Sequence, residues 1–290
     1  MPELVVEAQA AAQGDVARLR RFDTSRLRET VRLVGLDDPG PPITVVVAAE
    51  DSELGRHTPH WIAGFAHPPG HTVVLFPARS LQYPHDSLEE VLHHEIAHVL
   101  IDRAAGGAPL PRWFSEGLAT VAERQLGRED RRQLAIALTT RGPIAMADVD
   151  GWFGRGPPDA SRAYAVSAAF VRDLLDVHGP EAAARVLTLV ADGIPFAAAF
   201  ARATGETLTE RERAFDARMT TWERWVPLLT GPHVLWVAVT VLALLAIWRR
   251  RRTRAERRRR WADDEVDDEW DAQAWSDSAL DGETGERRDP

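Results

Sequence analysis

The chain has no cysteine among its 290 residues, so disulfides, thiolate metal sites and cysteine nucleophiles are all excluded. Any metal must be held by nitrogen and oxygen ligands. Lysine is missing as well, and all 35 basic residues are arginine. That removes Schiff-base and P-loop chemistry, which need a lysine amine, and agrees with a GC-rich bacterial genome. Tyrosine is nearly absent, with only Tyr83 and Tyr164. There is no internal repeat.

The net charge of -9 conceals an uneven distribution. Residues 249–260, "RRRRTRAERRRR", carry +8, and residues 261–290 carry -10. The remainder is therefore itself acidic, which gives no indication of a nucleic-acid partner. Hydrophobic residues at 44% and charged residues at 27% are an ordinary globular balance. One good-sized domain with appendages is expected.

The opening stretch, "MPELVVEAQAAAQGDVARLRRF", has acids at positions 3 and 7 and no continuous apolar core, so it is not a signal peptide. It reads as helix, continuing after a break through "TSRLRETVRLVGL". "DDPGPP" punctuates, and "ITVVVAA" (43–49) is a β-branched strand. "WIAGFAHPPGHTVVLF" (61–76) reads as two strands around a Pro-Gly turn. From Ser87 the pattern turns helical, with Glu90 completing a capping box before "LEEVLHHEIAHVLIDRA". Further helices are expected at about 112–126, 128–140, 160–178, 180–192 and 205–224, with "GWFGRGPPD" as a loop. A small N-terminal sheet followed by a mainly helical half is an α+β order.

Near the end, "VLWVAVTVLALLAIW" (234–248) is uncharged and almost wholly apolar. Extended back to residue 226, the uncharged stretch reaches the roughly 20 residues that a bilayer span requires. Trp225, Trp236 and Trp248 suit the interfaces. Nine arginines follow directly and belong on the cytoplasmic side, which places residues 1–225 outside. The expected organisation is a domain over 1–225, a single transmembrane helix over 226–248, and an Arg-rich segment with a disordered acidic tail over 249–290. A domain of that size needs a signal sequence to cross a membrane. Either the chain as given lacks its true start, which the arginines favour, or the last helix inserts as an anchor from the cytoplasm.

The chemistry concentrates in "LHHEIAH" (92–98). On a helix, residues four apart share a face, and His94 and His98 have that spacing with Glu95 between them. Two imidazoles one turn apart can bind a single Zn²⁺. Glu95, offset around the helix, is free to act on water at the metal. His93 has no partner at position 97 and reads as a flanking residue. Leu88, Val91, Leu92, Ile96, Val99 and Leu100 make this helix apolar around much of its circumference. A buried His-Glu-His set without partners costs several kcal/mol in desolvation, which a metal relieves. A catalytic zinc commonly takes three protein ligands, and without cysteine the third is His, Asp or Glu. Glu116 opens the next helix eighteen residues after His98, following the turn "AAGGAPLP". Antiparallel helices joined there would return it towards the histidines. A glutamate at a helix start is equally at home on a surface, favoured by the dipole.

"HEIAH" followed by "WFSEGLA" resembles the gluzincin metallopeptidases, specifically the bacterial peptidase-MA-like group related to thermolysin and the zinc aminopeptidases. The resemblance covers roughly residues 40–180. It implies His94, His98 and Glu116 as zinc ligands and Glu95 as general base. It also implies that Tyr164, in "SRAYAVSAAFVRDLLDVHG", stabilises the oxyanion of the tetrahedral intermediate. "HTVVLFP" lacks the Gly-x-Met-Glu-Asn signature of the zinc aminopeptidases, which favours an endopeptidase. Thr120 stands one turn after Glu116, where thermolysin-like enzymes carry an aspartate supporting a zinc-binding histidine. His57, His60, His67, His71 and His85 lack ligand spacing and suggest no second metal site.

The expected function is zinc-dependent peptide-bond hydrolysis at a cell membrane, acting on a peptide or protein substrate. The strand at 71–77 would bind that substrate edge-on. The alternatives are a catalytically silent zinc-binding membrane module and a metal-dependent hydrolase of a non-peptide bond.

Overall fold

The computed structural model describes residues 1–8, 13–79, 87–123, 127–141, 143–219, 239–247 and 249. The chain divides into two units, residues 1–228 and 229–290. The first unit begins with β1 (Leu4–Ala8), α1 (Gln13–Leu19), α2 (Arg28–Val34), β2 (Ile43–Val47) and α3 (Glu53–His57). A hairpin of β3 (Gly64–His67) and β4 (Thr72–Leu75) follows. The remainder is helical: α4 (Leu88–Ala104), α5 (Arg112–Glu123), α6 (Arg128–Arg141), α7 (Met146–Trp152), α8 (Pro157–His178), α9 (Ala182–Ala191), α10 (Phe196–Thr204) and α11 (Leu208–Arg218). A sheet followed by a helical body is the α+β class expected from the sequence.

The sheet order is β1-β2-β4-β3. β1 and β4 flank β2 in parallel, and β3 pairs antiparallel with β4. β-branched residues dominate β2 and β4, and their side chains alternate between faces. Ile43, Val45, Val47, Val73 and Leu75 join the main core under the helices. Val74 and Phe76 point the other way, into a smaller cluster with Ala48 and, partly buried, Leu54 and Phe65.

The N-terminal segment corrects the sequence reading. Leu4–Ala8 is a strand, not helix, because its backbone pairs in register with Ile43–Val47. That partner lies far along the chain, and local composition does not reveal it. Three short helices were also not expected, α3 among them. α7 reaches Trp152 within the segment read as loop, drawn in by burial of that indole, and α10 packs Phe200 into the core. The expected membrane span lies outside the described residues except for 239–247, which is helical. Among the described residues no helix is long and apolar enough to cross a membrane. The acidic tail, Tyr83 and His85 also lie outside the described residues.

α4 is the central helix. Ser87 caps it, its side chain accepting from the Glu90 amide. β3 comes close to it at Gly64, where a Cβ would stand 2.9 Å from both Leu75 Cδ2 and Val91 Cγ1. On the far side, α5 lies between α4 and α8. At Gly117 a Cβ would stand 2.6 Å from the Ser167 carbonyl oxygen, so only glycine permits this approach. Trp113 and Phe114 lock the start of α5 into an aromatic cluster, with Phe170 5.2 Å from Trp113 and Phe196 5.0 Å from Phe114.

Gly117→Ala is therefore expected to destabilise the fold by about 1–3 kcal/mol through overpacking against backbone. Gly154→Ala, where a Cβ meets nothing within 4 Å, is its control and should leave stability within about 0.5 kcal/mol. Denaturant midpoints of the two variants against the parent check this. Equal midpoints would mean that α5 and α8 are not in this contact.

Candidate metal centre and catalytic cleft

His94 and His98 lie one turn apart on α4, and the antiparallel α5 returns Glu116 to them. His94 Nε2 is 3.2 Å from His98 Nε2, and Glu116 Oε2 is 3.3 Å from each. A tetrahedral ion with bonds of about 2.0–2.1 Å needs ligand atoms about 3.3 Å apart. The three donors therefore fit one face of such a tetrahedron, with the fourth position left to the cleft. Among the described residues this is the group of histidines and carboxylates that could hold a metal ion. The type of donor also fits: two imidazole nitrogens and one carboxylate oxygen suit a borderline cation.

Each of the three has an outer partner, and all the partners come from α5. His94 Nδ1 donates to Glu123 Oε2 at 3.1 Å, and the Glu123 side chain is fully buried. His98 Nδ1 lies 3.0 Å from Ser115 Oγ, which is placed to accept its N–H. Glu116 Oε1 accepts from Arg112 Nε at 3.3 Å. With both Nδ1 positions committed to these partners, the Nε2 atoms are the ones turned towards Glu116 and available to a cation.

Electrostatics agree with the geometry. Burial disfavours a charged His94, but hydrogen bonds to Glu116 and Glu123 outweigh it and hold the ring up at about 10. Burial also opposes ionisation of Glu116, yet His98 and His94 keep its carboxyl well below the ordinary value.

Glu123 and Asp150 escaped the sequence reading. The support for His94 comes from Glu123, two turns after Glu116 and on the same face of α5. Thr120, one turn after it, is buried with its hydroxyl lacking a partner among the described residues. Helical spacing of seven residues was the available signal. Asp150 gave none: from α7 it accepts from the Trp113 amide at 2.6 Å and the Arg112 amide at 3.2 Å. It thereby caps α5 from outside. α11 does the same for α7, through Glu212 and the Met146 amide at 2.7 Å.

The cluster opens into a cleft of about 710 Å³. Gly64, Phe65 and Ala66 of β3 line it on one side, and Arg112, Phe153 and Tyr164 line it elsewhere. Glu95 is buried on the same wall as the cluster. The Tyr164 ring lies edge-on to His94 at 6.1 Å and to Phe153 at 5.1 Å. Burial, then the carboxylates of Glu116 and Glu95, pushes its phenol well above the ordinary value, so it keeps its proton. His93 faces away from the cleft, with Nε2 2.8 Å from Thr30 Oγ1 and the ring edge-on to Phe22. Burial, with Arg26 and His94 nearby, holds it down at about 4 against the pull of Glu123, so at neutral pH it is an uncharged core residue.

The edge-on substrate strand expected at 71–77 needs correction. β4 is hydrogen-bonded on both sides, by β2 and by β3, and has no edge to offer. Among the described residues the edge strands of the sheet are β1 and β3, and β3 also lines the cleft.

The cleft brings together a His-His-Glu group that could hold a metal ion, a carboxylate and a phenol. A family model of the peptidase MA superfamily matches residues 41–221, well over half of the chain, and the protein belongs to that superfamily of peptidases. The match runs past the resemblance seen in the sequence, taking in α9, α10 and α11. A search of curated proteins finds no match.

Glu123→Gln should lower metal affinity about 10- to 100-fold by removing the anion behind His94, with the fold retained by circular dichroism. Near pH 7 a metal must displace the His94 proton, so parent affinity should rise with pH up to about 10. The variant should show a flatter profile. Competition against a chromogenic chelator across pH measures both, and equal affinities would separate Glu123 from the metal.

Proposed function

We propose that this protein is a zinc-dependent endopeptidase. The observation that carries the reading is the donor triangle of His94, His98 and Glu116, with Glu95 beside it in a cleft walled by an edge strand. When bound, zinc supplies Lewis-acid polarisation of the scissile carbonyl and acidifies the attacking water. His94, His98 and Glu116 hold the ion. Glu95 takes the proton of the attacking water and hands it to the leaving amine. Tyr164, protonated, donates to the carbonyl oxygen as that oxygen gains charge. β3, an edge strand among the described residues, would offer its outer side to an extended peptide and align the substrate along the cleft. The missing aminopeptidase signature in "HTVVLFP" supports internal cleavage over removal of N-terminal residues.

The test compares the zinc-loaded full chain with its Glu95→Gln variant on a broad peptide library, read by mass spectrometry. Both should bind one zinc, and the variant should lose about 10²–10⁴-fold in cleavage rate. A parent that binds no zinc sinks the reading. Zinc binding in both without cleavage by either would favour a silent module or a hydrolase of another bond.

The reading includes a membrane anchor at 226–248. In 239–247 the side chains of Val239, Val241, Leu242, Leu244, Leu245 and Ile247 are all exposed, a surface that suits lipid. The arginines that follow favour a cytoplasmic C-terminus and an extracytoplasmic catalytic domain. A reporter fused after residue 260 should give a cytoplasmic signal, and an extracytoplasmic one would reverse the orientation.

A further inference from the structure

Arg112 is held in the cleft in a way that leaves its two-pronged end free. Its guanidinium carbon lies 4.5 Å from the centre of the Phe153 ring, and its Nε donates to Glu116 Oε1 at 3.3 Å. Those contacts fix the planar group by one face and one edge. The side chain is 53% exposed and lines the cleft. Among the described residues, neither terminal nitrogen has a partner. Besides histidines, the other charged residues on the described cleft walls are Glu95, Asp102 and Glu116, all acidic. Arg112 is thus the one permanent cation on those walls.

An arginine serving only to balance Glu116 would do so best by presenting both prongs to its carboxylate. Here a single Nε contact meets that need, and stacking on Phe153 turns the fork elsewhere. A rigid pair of parallel N–H donors matches a carboxylate. Because Nε already touches the carboxyl group of a metal-binding residue, the fork lies close to the reacting bond. An extended chain advancing about 3.3 Å per residue covers the gap in one or two residues.

We propose that Arg112 binds a carboxylate of the peptide substrate within about two residues of the scissile bond, so that the enzyme selects for negative charge there. The proposal rests on the peptidase reading above. The carboxylate is either an acidic side chain, which keeps the internal cleavage proposed above, or a free C-terminus, which would replace it with removal of C-terminal residues; Arg112 is a substrate-binding residue in both cases.

The experiment uses the zinc-loaded full chain carrying Glu95→Gln, which keeps the probes intact. N-acetylated tetrapeptides are titrated calorimetrically in matched pairs. One pair set differs only in a C-terminal carboxylate against an amide; the other places Glu against Gln at each position of an amidated peptide. One set should show a preference for the charged member of about tenfold or more in Kd. The first set identifies a C-terminus as the source, the second a side chain. Measured at zinc concentrations that saturate each variant, Arg112→Gln should erase the preference, and Arg112→Lys should restore part of it.

No preference in either set, or no binding of any probe, overturns the proposal. A preference that survives Arg112→Gln overturns it too, since the carboxylate would then be meeting the metal directly. So does a variant that binds zinc more weakly but keeps the preference, because Arg112 would then only support Glu116. Library cleavage by the parent decides the peptidase reading separately, so either can fail alone.

Discussion

The site depends on how α5 is wedged between α4 and α8. Two consecutive residues do opposite jobs: Glu116 turns its carboxylate to the histidines of α4, and Gly117 abuts the Ser167 carbonyl of α8. Successive residues on a helix are rotated by about 100°, so both contacts are met only at one rotation and one depth of α5. Any side chain at position 117 pushes α5 off α8 and carries the ligand with it. Close packing here is thus a condition of the chemistry, beyond its contribution to stability.

The same helix supplies the outer partners of all three candidate metal ligands: Arg112 for Glu116, Ser115 for His98 and Glu123 for His94. α4, by contrast, presents the histidines and buries Val91, Leu92, Ile96, Val99 and Leu100 in the core. Orientation of the donor set is therefore a property of the α4–α5 interface as a whole. Its accuracy is passed along a relay of caps, from α11 through α7 to the first turn of α5.

What the sequence made legible was what spacing along one helix determines. His94, Glu95 and His98 follow from a four-residue interval, and the Ser87 cap from a three-residue one. The return of Glu116 needed only a turn and an antiparallel neighbour. The helical body and the hairpin were readable from periodicity and from Pro68, Pro69 and Gly70. What stayed hidden was set by contacts across the chain. β1 is a strand because of β2, and Asp150 is a cap because of where α7 lands. β3, not β4, is an edge strand because strand order is not written in strand composition. Glu123 lies between these cases. Its spacing from Glu116 was visible, but nothing local singled it out once Thr120 occupied the position where a carboxylate was looked for.

The outer partners are also unequal in kind, and that inequality has a chemical consequence. His94 is backed by a buried carboxylate, His98 by a partly buried hydroxyl. A hydrogen bond to an anion strengthens the donor character of the ring more than one to a neutral oxygen. His94 is therefore the firmer of the two nitrogen ligands. Glu116, with a guanidinium at its other oxygen, gives up part of its negative charge to Arg112. The strongest donation thus comes from the ring deepest in the core, and the weaker donors face the cleft. A cation held this way keeps more of its own charge on the open side, where a carbonyl must be polarised. Through His94, the buried Glu123 carboxylate would hold a bound ion to α4 from the side away from the cleft.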